Sequence, residues 1–111
     1  MRYNRWQVQL ASEAVADEIR NLPAVLRARY LRLVDLIEEH GPQRLGMPHA
    51  RPLAHGLWEL RMRGRDGIGR AIYVAVSGRK VVILHAFIKK TQKTPRKAME
   101  TARRRLQEFQ R

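Results

Sequence analysis

Residues 81–97 read VVILHAFIKKTQKTPRK. Val81, Val82, Ile83 and Leu84 form an unbroken aliphatic run, the composition of a buried strand. His85 interrupts it, and Lys89, Lys90, Lys93, Arg96 and Lys97 follow closely. Thr94-Pro95 has the form of a helix start, with Thr as N-cap and Pro at the first helical position. A buried strand thus delivers a titratable imidazole and several fixed cations to one place. Polyanion binding is the direct use of such a cluster, and phosphate chemistry is a second.

The flanking sequence supplies the other elements. Trp6, Val8 and Leu10 alternate with Arg5, Gln7 and Gln9, a half-buried strand. Ser12 can cap a helix running to about Asn21. Leu22-Pro23 breaks that helix and starts another, in which Leu26, Tyr30, Leu33, Val34 and Ile37 share a face. Gly41-Pro42 stops it, and residues 41–56 read as a Gly- and Pro-rich loop. A strand follows at Leu57–Arg63, with Trp58, Leu60 and Met62 on one face and Glu59, Arg61 and Arg63 on the other. The turn at 64–69 leads to a strand at Arg70–Val76, and Ser77-Gly78 forms a tight hairpin into the Val81–Ile88 strand. The last helix spans about Pro95 to Gln110, with Ala98, Met99, Ala102, Leu106 and Phe109 inward. The order β-α-α-β-β-β-α predicts one α+β domain over residues 1–111, a small antiparallel sheet with segregated helices.

The formal net charge is +13, and residues 61–111 carry +12 of it, against +1 for residues 1–60. This asymmetry implies a polyanionic partner, nucleic acid or an acidic protein. A membrane surface fits less well, because the basic half is rich in strands and has no long helix with bulky apolar residues opposite a basic face. The chain has no cysteine, which excludes disulfides, thiolate metal sites and a cysteine nucleophile. The N-terminal residues lack a signal-peptide core and no segment is long enough to span a bilayer. A soluble cytoplasmic protein is expected.

No metal-ligand spacing links His40, His49, His55 and His85, and neither a Ser-His-Asp pattern nor the phosphate-loop signature occurs. No cofactor is expected. What remains is a set of cations on neighbouring strands: Arg61, Arg70, Lys89 and Lys90, with His85 beside them. Arginine grips phosphate oxygens bidentately and stabilises developing charge. Imidazole can move a proton near neutral pH. RNA brings its own nucleophile, the 2′-hydroxyl, so a nuclease of this kind needs a base, an acid and charge stabilisation but no metal. Plainer readings stand beside this one. Arg61 could be the solvated side of a strand, Arg70 could pair with Asp66 or Glu59, and His85 could be a satisfied core histidine. Lys89 and Lys90 could bind backbone only. His49 and His55 could be loop residues without a role, and Arg103–Arg105 could decorate a helix face.

The strings GLWELRMR (56–63), GRAIYV (69–74) and ILHAFIKKTQKTP (83–95) strongly resemble the phage-related HigB-like branch of the RelE/ParE toxin superfamily, and the resemblance covers nearly the whole chain. It implies a RelE-like fold and the toxin of a type II toxin–antitoxin pair. Such toxins enter the ribosomal A site and cut mRNA, which would make this chain an endoribonuclease that inhibits translation. The implied partners are the ribosome, mRNA and a cognate antitoxin, here a helix-turn-helix DNA-binding protein. Carried over by position, Arg61, Arg70, Lys89 and Lys90 would be the catalytic cations and His85 the imidazole. Arg63, Arg65, Lys93, Arg96, Lys97, Arg103 and Arg104 would hold RNA. One departure concerns the tyrosine that some relatives carry in the last helix. Tyr3, Tyr30 and Tyr73 all lie elsewhere, and Arg96, nearest that place, is a poor acid at neutral pH. Other readings are a ParE-like DNA gyrase poison on the same fold, a non-enzymatic nucleic-acid-binding module, and an inactive relic that binds only antitoxin. A binding module would expose aromatic platforms, whereas Trp58, Tyr73 and Phe87 read as core.

Overall fold

The computed structural model describes residues 5–65, 67–89 and 93–111. Among these residues five strands form one sheet in the order β1-β5-β4-β3-β2. They are β1 (Gln7–Leu10), β2 (Ala50–Pro52), β3 (Trp58–Gly64), β4 (Gly67–Val76) and β5 (Lys80–Lys89). The helices are α1 (Glu13–Arg20), α2 (Ala24–His40) and α3 (Arg96–Gln110), and single 3-10 turns occur at Pro42–Arg44 and Ala54–Gly56.

The expected α+β class and element order hold, with two differences in the sheet. β1 pairs parallel to β5, Gln7 opposite Lys80 and Leu10 opposite Ile83, so the sheet is mixed rather than antiparallel throughout. Within the stretch read as loop, Ala50–Pro52 pairs antiparallel with β3 as a short edge strand. Its Pro52 sits at the strand end on the sheet edge, the place where a missing N–H costs no ladder bond. The hairpin after β4 is a three-residue loop: Val76 pairs with Lys80, and Gly78 and Arg79 both take positive φ.

Helices cover both faces. α1 and α2 bury Val15, Ile19, Leu26, Tyr30, Leu33 and Ile37 against Leu60, Met62, Ala71, Tyr73, Val81, Ile83 and Ala86. α3 buries Ala98 and Ala102 on the other face against Leu57, Ile72, Val82 and Leu84, with Met99, Leu106 and Phe109 partly buried beside them. The strands β4 and β5 are covered on both sides, which is why they read as apolar runs and not as alternation. α2 ends at Gly41, whose φ of +85° carries the chain away from the helix axis while its N–H still donates to the Ile37 carbonyl. A Cβ there would lie 2.8 Å from the Trp6 indole nitrogen, so only glycine fits both demands. Two capping expectations differ. Ser12 precedes α1 without a side-chain cap bond. Pro95, not Thr94, precedes α3, and the Thr94 hydroxyl is spent elsewhere.

α3 packs on β5 alone among the strands it contacts substantially. The β3–β4 end of that face is left to the short segment that precedes the helix, and the cations of the sheet collect there.

Candidate functional site

Register aligns the charged residues in rows across the α3 face. Arg51 lies opposite Glu59, Glu59 opposite Ile72, and Ile72 opposite His85. One step along, Arg61 lies opposite Arg70, and Arg70 opposite Phe87. One further step pairs Arg63 with Ile68 and Ile68 with Lys89. Residues two apart on a strand point to the same side, so Arg51, Arg61, Arg63, Arg70 and Lys89 share one face with Glu59.

The centre of this group is buried. Glu59 and Arg70 are 0% exposed and Arg61 is 4% exposed. The Arg61 Nε lies 3.1 Å from one Glu59 carboxylate oxygen, and an Arg70 Nη lies 3.9 Å from the other. The second oxygen also accepts the Thr94 hydroxyl at 2.7 Å, and Arg70 Nη1 donates to the Lys93 carbonyl at 2.9 Å. Arg61 is therefore no solvated strand residue, and Arg70 does pair with Glu59. Asp66, its other candidate partner, lies outside the described residues. Burial lowers the Arg70 pKa; Glu59 opposes the shift, and the neighbouring charges of Arg61 and Arg51 reinforce it. Guanidinium stays protonated at neutral pH regardless. Two buried cations thus face one buried carboxylate, an excess of positive charge with a backbone carbonyl already drawn onto it.

His85 sits apart from that centre. β5 carries a bulge here: Ile72 pairs with His85 but Tyr73 pairs with Ile83, so Leu84 is the extra residue. The bulge turns both Leu84 and His85 toward the α3 face. β1 ends at Leu10, opposite Ile83, and among the described residues no strand pairs with the next stretch of the β5 edge. Side chains take over. One Glu18 oxygen accepts the Ala86 N–H at 3.0 Å and the Arg105 guanidinium at 2.9 Å, and lies 3.0 Å from His85 Nδ1. Arg105 also donates to the Leu84 carbonyl at 3.0 Å. The His85 ring stacks on Phe87 at 4.8 Å between centroids. Arg105 is accordingly a tie between α3, β5 and α1, not surface decoration. His85 and Arg70 lie on rows two residues apart, about 7 Å along the strand.

Burial works to raise the Glu18 pKa, but the bonds from Arg105, Ala86 N–H and His85 outweigh it and leave it lowered. A carboxylate depressed in the folded state stabilises that state above its unfolded pKa, and the contribution disappears as pH falls through the folded value. Glu18→Gln is expected to weaken folding at neutral pH and to flatten the acid side of the stability curve. Urea midpoints of both proteins across the carboxylate range check this. Parallel acid limbs would remove Glu18 from the account.

The remaining expected contacts lie at the surface. Arg63, Arg65, Lys89, Lys93, Arg96, Lys97, Arg103 and Arg104 are exposed, and Arg96 pairs with Glu100 at 3.5 Å. Lys90 lies outside the described residues. Tyr30 and Tyr73 are buried on the α1–α2 face, their pKa values raised by burial, that of Tyr73 to about 12. Trp58, read as core, is 39% exposed. It lines a cleft with Pro42, Gln43, Leu45, Tyr73 and Ala75. Among the described residues no group of three or more His, Asp or Glu is placed to hold a metal, and no helix is long and apolar enough to cross a membrane. Sequence reasoning named Glu59 only as one possible partner of Arg70 and Thr94 only as a helix cap, and gave Glu18 no part in the site. The signal that could have raised Glu59 was its place between Leu57 and Arg61 on the inner-facing parity of β3.

Comparison with known proteins bears on the fold and the family. The chain is similar in structure to a double arginine-to-alanine mutant of the Escherichia coli toxin RelE in the free state, with a TM-score of 0.66 at 13% identity over 92% of this chain and 98% of that one. It is also similar to the archaeal RelE–RelB complex from Pyrococcus horikoshii OT3, with a TM-score of 0.58 at 20% identity over 80% of this chain and 99% of that one. No curated protein sequence matches it. Identities this low speak for the fold, and the RelE-like architecture expected from the sequence is borne out. Residues 17–107 match the family described as phage derived protein Gp49-like (DUF891). With most of its length inside that match, this chain belongs to the phage-derived Gp49-like family and is built on the RelE fold.

Proposed function

We propose that this protein is the toxin of a type II toxin–antitoxin pair, a cytoplasmic endoribonuclease that cuts mRNA on the ribosome. The observation that carries the reading is the gathering of Arg51, Arg61, Arg63, Arg70 and Lys89 on one sheet face, with the Lys93 carbonyl drawn onto Arg70. A carbonyl oxygen held by a buried guanidinium marks where a phosphate oxygen would sit. On RNA binding, the segment before α3 gives up that position and the scissile phosphate takes it. Arg61 and Arg70 hold the phosphate in line and stabilise its developing charge. His85, oriented through Nδ1 by Glu18, presents its other nitrogen to the substrate, and Lys89 is the second base candidate. The 2′-hydroxyl gives up its proton, O2′ bonds to phosphorus, and the bond to O5′ breaks. Lys90 protonates the leaving oxygen, giving a 2′,3′-cyclic phosphate and a 5′-hydroxyl. Lys93, Arg96, Lys97, Arg103 and Arg104 contact ribosomal RNA, which makes association salt-dependent.

The fold of the toxin RelE and of the RelE–RelB complex supports a toxin with a cognate antitoxin. The charge of +13 supports acidic surfaces on whatever covers it. The antitoxin is expected to be a helix-turn-helix DNA-binding protein. Primer extension on cellular mRNA after brief induction tests the activity. Discrete cuts that vanish when translation is blocked are expected. Intact mRNA beside growth arrest with DNA damage would instead make the protein a gyrase poison.

A further inference from the structure

The seam between α2 and the outer edge of β3 holds a cleft of about 400 Å³. Leu33, Leu36 and Met62 give it an apolar floor, and Arg29, Arg32, Arg63 and His49 stand around it. Such a volume lies in the range of ligand sites. The cleft exists because β2 is short. Its pairing with β3 runs only from Trp58 to Leu60, and one further bond joins Arg61 N–H to the His49 carbonyl. Beyond that point no strand among the described residues pairs with β3 on this side. The Arg29 guanidinium comes from α2 to bond the Arg63 carbonyl, which fixes its position over the cleft. Arg32 lies one helical turn away, on the same side of α2.

We propose that this cleft is a subsite for single-stranded RNA, taking one base on the Leu33–Leu36–Met62 floor and the adjoining phosphates on Arg29 and Arg32. Deepening the nuclease reading, it supplies the path by which the strand reaches the scissile position. Three arguments favour RNA over an acidic peptide. An apolar floor ringed by guanidiniums matches a flat base carried on a charged backbone. Arg61 belongs to the cleft lining while its guanidinium reaches the Glu59 centre on the other face of β3, so a strand crossing the β3 edge would run from one toward the other. The exposed cations Arg63 and Arg65 continue the basic band toward the β3–β4 turn.

The test uses a fluorescein-labelled, fully 2′-O-methylated RNA oligomer, which cannot be cut. Its affinity is read by anisotropy over a series of salt concentrations for the wild type, Arg29→Ala/Arg32→Ala and Arg29→Lys/Arg32→Lys. Both positions are exposed, so water can replace the lost bond to the Arg63 carbonyl. The alanine pair should weaken binding and lower the salt slope by about 1.4, near 0.7 for each lost single-strand phosphate contact. The lysine pair should keep most of that slope. An oligomer carrying 4-thiouridine should photo-cross-link to residues 33–36 or to Met62. An unchanged affinity and slope in the alanine pair, or no binding by the wild type, overturns the subsite. So does unchanged RNA binding together with a weakened hold on the antitoxin, which would give the cleft to a protein partner. Binding and cleavage are separate readouts here. If the alanine pair loses RNA affinity while the wild type cuts nothing, the subsite stands and the nuclease reading falls.

Discussion

Glu59→Ala is expected to destabilise the protein by about 3–5 kcal/mol, the cost of removing one partner of a buried ion pair. The residue is fully buried between Arg61 and Arg70. Its removal leaves two guanidiniums facing each other in a water-excluded site and takes away the acceptor of the Thr94 hydroxyl. The loss is a large part of the 5–15 kcal/mol that holds a typical domain together. Urea denaturation followed by circular dichroism measures it. Glu59→Gln keeps the shape and an acceptor for Thr94 but not the charge, and should fall between the wild type and the alanine variant. A further variant separates electrostatics from packing. Replacing Glu59, Arg61 and Arg70 together by Met or Leu removes all three charges, and buried ion clusters exchanged for apolar groups are often neutral or more stable. The triple variant should therefore regain stability that Glu59→Ala loses. A cost below about 1 kcal/mol for Glu59→Ala, the value of an exposed pair, would mean that the carboxylate does not hold these cations in solution.

That centre shows where sequence reasoning stopped. Leu26, Tyr30, Leu33 and Ile37 announced α2 because helical spacing is a local property, and Gly41 announced its end for the same reason. β4 and β5 were legible as apolar runs. Strand direction was not, because Trp6, Val8 and Leu10 alternate equally well beside a parallel or an antiparallel neighbour. β2 stayed hidden because a three-residue strand that ends on Pro52 has too few positions to show a period. The charged parity of β3, Glu59 and Arg61, read equally well as a wet face and as a functional one. It is dry because the segment at 93–95 folds back over it, a contact across 35 residues that Thr94 makes with Glu59. The convergence of Arg61 with Arg70 was legible from hairpin pairing. The Glu18–Arg105 clamp was not, since it depends on β1 ending early and on a bulge at Leu84. The same bulge brings His85 onto the face of the arginine pair but two residues along the strand from Arg70, so the imidazole and the cations form two neighbouring centres in the fold.

Arg70→Lys is expected to leave the protein folded and cut its mRNA cleavage rate by about 100-fold or more, the scale on which a lost transition-state donor acts. Lysine keeps the positive charge beside Glu59, so the penalty for an unpaired buried carboxylate does not arise. It replaces a planar fork of five donors with a point charge bearing three, and bidentate capture of a phosphate is lost. Arg61→Lys should act in the same direction, and the double variant should be little worse than the weaker single one, because groups that hold one phosphate fail as a unit. The measurement is single-turnover cleavage of a defined mRNA in programmed ribosomes, with the urea midpoint of each variant taken first. A fall in the maximal rate at an unchanged half-saturating concentration assigns Arg70 to the transition state. Half-saturation shifted at an unchanged maximal rate would make it a binding cation only. Wild-type cleavage by a folded Arg61→Lys/Arg70→Lys protein would remove the pair from the chemistry and leave it a structural cluster that pins the start of α3 to the sheet.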